Sequence, residues 1–157
     1  MLSKEAQVSY MESVLSMNGI SAAKYGQAMS EALDASFFDD EYGCMTIMLN
    51  TAMKKRIAAK IGAKSAGPVT SGAAAMAEAG LLKETAEGLY AFNPAYFGSK
   101  HWKSVDEIRI SHAFGKTGEA VLIEADYGDG SFVRLEEGGF AEIESPETEP
   151  DETESIE

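Results

Sequence analysis

Between Met45 and Phe97 the chain sets out one order of elements, and no other stretch constrains its fold as much. Met45-Thr46-Ile47-Met48-Leu49 is a mostly apolar run of strand length that ends at Asn50-Thr51, both helix N-cap types. Helix-forming residues follow from Ala52 to Ile61, with Ile57 and Ile61 four apart, and Gly62 stops that helix. A gap holding Lys64, Ser65, Gly67 and Pro68 leads into an Ala-rich helix from Val69 to Ala79, for which Pro68 suits the first turn and Gly80 the end. Leu81–Thr85 and Leu89–Phe92 then pair around Ala86-Glu87-Gly88 as a tight hairpin. Strand, helix, turn, helix and hairpin in that order predict a winged helix-turn-helix, and with it a module for double-stranded DNA.

Charge is distributed to match. The formal net charge is −13, yet residues 1–43 carry −5, residues 110–157 carry −12, and residues 44–109 carry +4. The basic residues therefore fall where the DNA-binding module is read. Within it, Ala58 and Gly62 have the spacing of a small residue at the helix crossing and a glycine in the turn. With Val69, Ala73, Met76 and Ala77 taken as inward, the outward positions of the second helix are Thr70, Ser71 and Ala74, preceded by Lys64 and Ser65 in the turn. Thr70 and Ser71 can bond to base edges or phosphates, and Ala74 can touch a thymine methyl. Lys54, Lys55 and Lys64 suit phosphate contacts, while Lys83 and Gly88 belong to the wing, where Glu84 and Glu87 oppose Lys83.

Outside this module the patterns are simpler. Leu2–Met17 places Val8, Met11, Val14 and Leu15 on one helical stripe, amphipathic enough to pair two copies as a homodimer or to strap the core. Ala22–Ala32 is a second helix with Tyr25, Met29 and Leu33 on one side, and Phe37–Gly43 is a loop. Tyr96, Phe97 and Trp102 lead to a short helix around Ser104–Arg109. Arg109–Phe114, Ala120–Ala125 and Ser131–Leu135 alternate as an antiparallel β meander. Residues 136–157 hold ten acids and no base, the composition of a disordered tail. The expected layout is an α+β chain with an N-terminal helix (1–19), a winged helix (20–110), a C-terminal meander (111–135) and an acidic tail (136–157).

Several chemistries are expected to be absent. Cys44 is the only cysteine, so no disulfide can close within the chain, and a reducing cytoplasm suits it. His101 and His112 lack ligand-rich surroundings, and Asp39-Asp40-Glu41 lacks the alternation of a calcium loop, so no metal is expected. No cofactor is called for, no catalytic constellation appears, and no run has the roughly 20 apolar residues of a membrane helix.

The segment Ile57–Gly62 (IAAKIG), Leu81-Leu82, the stretch Gly88–Gly98 (GLYAFNPAYFG) and Trp102-Lys103 together resemble bacterial plasmid replication proteins of the RepL type. The similarity covers about residues 20–110. It implies a plasmid or phage replication initiator that binds an origin and recruits host replication proteins. By the same resemblance, Lys64, Ser65, Thr70 and Ser71 correspond to turn and recognition-helix contacts, and Gly88 to the wing. Two alternatives share the architecture: a winged-helix transcriptional regulator, and an acidic protein-binding winged helix that mimics DNA or inhibits a DNA-binding partner.

Overall fold

Short polar side chains decide where the helices begin. In the computed structural model, which describes residues 2–98, 100–115, 118–130 and 132–135, Ser3 caps α1 (Lys4–Met17), its hydroxyl accepting the Ala6 N–H at 3.0 Å. Ser21 does the same for α2 (Ala22–Asp34) through Lys24, and Asn50 for α3 (Thr51–Lys60) through Met53 at 2.8 Å. The next helix, α4 (Gly67–Glu78), starts instead on Pro68 with no side-chain cap.

Glycine ends α3 and α4 by one device. Gly62 has φ of +73° and Gly80 of +82°. Each lets the following residue reach back across the last turn, Ala63 N–H to the Ala58 carbonyl at 2.9 Å and Leu81 N–H to the Met76 carbonyl at 2.8 Å. A side chain at either position would strain that left-handed conformation.

Two antiparallel sheets complete the α+β fold. The first has the order β1 (Phe37–Asp39), β2 (Cys44–Met48), β4 (Leu89–Phe92), β3 (Leu82–Ala86), so β4 lies between β2 and its own hairpin partner. Ile47 faces Tyr90 across β2 and β4, and Lys83 faces Ala91 across β3 and β4. After α5 (Pro94–Phe97) and a 3-10 turn at Trp102–Ser104, the second sheet runs in sequence order: β5 (Glu107–Gly115), β6 (Gly118–Asp126), β7 (Phe132–Arg134).

One apolar core joins these elements. Met11, Val14 and Leu15 of α1, Met29 and Leu33 of α2, Ile47, Ile57, Met76, Phe92 and Phe97 are all buried in a single cluster that also takes in Trp102, Val105 and Ala125. The apolar stripe of α1 is therefore used inside this chain. Tyr10 ties it further: its ring stacks on Trp102 at 5.8 Å, meets the Phe97 edge at 6.2 Å, and its hydroxyl donates to the Tyr96 carbonyl.

Three local expectations change. Phe37–Asp39 is a strand and not part of a loop, because Phe37 pairs with Thr46 and Asp39 with Cys44, while the Asp39 carboxylate accepts the Glu41 N–H at 2.9 Å to close the turn. The expected helix around Ser104–Arg109 is replaced by the 3-10 turn and the start of β5, where Arg109 pairs with Glu124 of β6, a partner fifteen residues away. Ala77 is exposed and Gly72 takes its inward place, since α4 passes so near α2 that a Cβ at 72 would lie 3.0 Å from Met29 Cε. A boundary at residue 110 falls inside β5, and residues 136–157, with the tail expected there, lie outside the described residues.

Candidate nucleic-acid interface

The turn of α3 sets which of its residues reach solvent. With Ile57 and Ala58 buried, Lys55, Arg56, Ala59 and Lys60 share the exposed side, and Lys54 is half-buried beside them. Lys64 and Ser65 are exposed in the connection to α4. From Tyr42 to Ala77 the chain has five bases and no acid. Among the described residues no ion pair engages Lys54, Lys55, Arg56, Lys60 or Lys64.

On α4 the buried side is Val69, Gly72, Ala73 and Met76, which turns Thr70, Ser71, Ala74, Ala77 and Glu78 outward. Thr70, Ser71 and Ala74 thus lie on one exposed strip. The Ser65 hydroxyl accepts the Gly67 N–H at 3.2 Å, which uses that side chain to shape the entry to the helix. The strip carries hydroxyl and methyl groups and no Arg, Asn or Gln, so contacts to base edges would be single and short.

The β3–β4 hairpin is held from inside. Gly88 has φ of +77°, gives its N–H to the Glu84 carboxylate at 2.9 Å, and accepts the Leu49 N–H at 2.8 Å. Gly88 is therefore a turn-forming residue whose backbone is engaged within the sheet. Lys83 is half-buried on β3, and Glu87 is exposed at the tip.

Lys60 is missing from the basic surface read from the sequence, although it and Arg56 are both more exposed than Lys54. Their signal was the helical spacing itself: both lie away from Ile57 and Ala58. Elsewhere, Cys44 is fully buried and burial pushes its thiol up to about 11, which suppresses the thiolate. His101 stacks on Phe38, and its Nδ1 accepts the Lys103 N–H at 3.3 Å. Among the described residues no group of three or more His, Cys, Asp or Glu could hold a metal ion, and no helix is long and apolar enough to cross a membrane.

No family model, curated protein or solved structure matches the chain.

Proposed function

We propose that β2, α3, α4 and the β3–β4 hairpin form a winged helix-turn-helix that binds double-stranded DNA. In this reading α4 enters the major groove, and α3 with the turn after it holds phosphates. The observation that carries it is the acid-free run of residues 42–77, whose Lys55, Arg56, Lys60 and Lys64 are exposed on α3 and in its connection to α4, with Thr70, Ser71 and Ala74 exposed on α4 itself. The placement of β4 between β2 and β3, with Gly62 in the turn between the helices, also supports it.

Phosphate contacts would position the protein, and the thin set of groups on α4 would specify weakly. By its resemblance to RepL-type proteins, the site would be a plasmid or phage replication origin, and host replication proteins would be recruited there. A transcriptional operator is the neighbouring alternative for the same surface.

Fluorescence anisotropy tests the reading, with the full chain against duplexes tiling its own gene and upstream region at two salt concentrations. Four phosphate contacts predict that affinity falls by about a hundredfold between roughly 50 and 200 mM salt, with one duplex standing above the rest. No binding at the lower salt would sink it. That result would favour the protein-partner reading, to which the exposed Glu78 of α4 and Glu87 of the hairpin tip are better suited.

A further inference from the structure

Among the described residues no ion pair engages the basic side chains of α3, and several acids are held elsewhere. Glu31 holds Lys4 at 2.7 Å, with Asp34 at 3.9 Å, and Glu124 holds Arg109 at 3.3 Å. Glu84 closes the hairpin turn, Asp39 closes the β1–β2 turn, and Asp126 accepts the N–H groups of Gly128 and Gly130 at 2.9 and 3.0 Å. Lys55, Arg56, Lys60 and Lys64 are left facing water. The same chain carries eight acids and no base in residues 142–157.

We propose that the exposed side of α3, with Lys64 in the turn, is the docking surface for the acidic segment 142–157 of this same chain, which duplex phosphates displace. The displacement rests on the DNA-binding reading above; the docking does not.

Reach and charge both allow it. The twelve residue steps from Leu135 to Glu147 can span up to about 40 Å when extended, comparable with the width of a domain this size. A tethered segment acts at an effective concentration on the order of millimolar, so a weak contact suffices to occupy the surface. The contact is between exposed charges, and salt beyond physiological strength screens it within about 8 Å. A duplex that neutralises several lysines at once outcompetes it, whereas a single stray phosphate does not.

Carbodiimide cross-linking of the intact monomeric chain, with cross-linked peptides mapped by mass spectrometry, tests the docking without DNA. Amide links should join Lys55, Lys60 and Lys64 to carboxylates between Glu147 and Glu157, and should vanish at about 0.5 M salt. Links made equally to Lys4, Lys24, Lys100 and Lys103, or none, would overturn the proposal.

The second arm uses the full-length chain carrying Glu147→Gln, Glu149→Gln, Asp151→Asn, Glu152→Gln and Glu154→Gln. It should lose the α3 links and bind a duplex of ~24 base pairs and arbitrary sequence about tenfold more tightly than the unaltered chain at low salt. Equal affinity of the two chains would overturn the displacement. If neither chain binds duplex while the α3 links persist, the docking is upheld and the DNA-binding reading falls.

Discussion

The Glu84 carboxylate accepts the Gly88 N–H at 2.9 Å, so one of the two acids of the β3–β4 hairpin is also the group that shapes its turn. Charge and hydrogen bonding can be separated there. Glu84→Gln keeps an acceptor and removes the charge, and should raise duplex affinity about two- to fivefold with the melting temperature nearly unchanged. Glu84→Ala removes both, and should lower stability by about 1 kcal/mol in urea titrations.

Gly72 of α4 lies against Met29 and Tyr25 of α2. Its missing Cβ would sit 3.0 Å from Met29 Cε and 3.2 Å from Tyr25 Cδ1, and Met29 is fully buried. Gly72→Val should therefore force the two helices apart and cost about 1–3 kcal/mol, read from the urea midpoint. A variant as stable as the original would mean that Met29 repacks freely.

The lysines of α3 should act through salt dependence more than through sequence. Lys55→Ala and Lys60→Ala are each expected to weaken binding to all duplexes alike and to reduce the slope of log affinity against log salt by about 1. Thr70→Ala, in contrast, should narrow the gap between the best duplex and the others. Competition anisotropy at several salt concentrations reads both effects, and a lysine variant that alters only the ranking of duplexes would contradict the assignment.

Alkaline pH should destabilise the protein in stages. Burial raises the Cys44 thiol from 9.0 to about 11, so the folded chain holds this proton after the unfolded chain has lost it. Its contribution is complete below pH 9 and disappears as pH climbs to about 11, a loss of up to about 3 kcal/mol. Burial also raises the Tyr10 and Tyr127 phenols, which extends the decline above pH 10. Cys44→Ala should flatten the first stage and leave the second in place, as followed by urea melts between pH 8 and 11.

What the sequence disclosed followed from where its determinants lie. Asn50, Gly62, Pro68 and Gly80 act within a turn or two of their own position, so α3, α4 and the hairpin could be read locally. β1 and the start of β5 could not, because Phe37 needs Thr46 and Arg109 needs Glu124 to be strand residues at all. The candidate site divides in the same way. The exposure of Lys55, Thr70, Ser71 and Ala74 follows from helical spacing. The half-burial of Lys54, the outward turn of Ala77 and the engagement of Gly88 by Glu84 and Leu49 depend on neighbours distant in the chain or across a turn.

The burial of α1 bears on which part of the chain can stand alone. Met11, Val14 and Leu15 fill the same interior as Ile57 and Met76, and Tyr10 reaches across to the backbone at Tyr96. The stretch from β2 to α5 on its own would leave Ile57, Met76 and Phe97 without the α1 and α2 side chains that share their core. The stretch from α1 through β6 should therefore behave as one unit, because Trp102, Val105 and Ala125 share that interior as well.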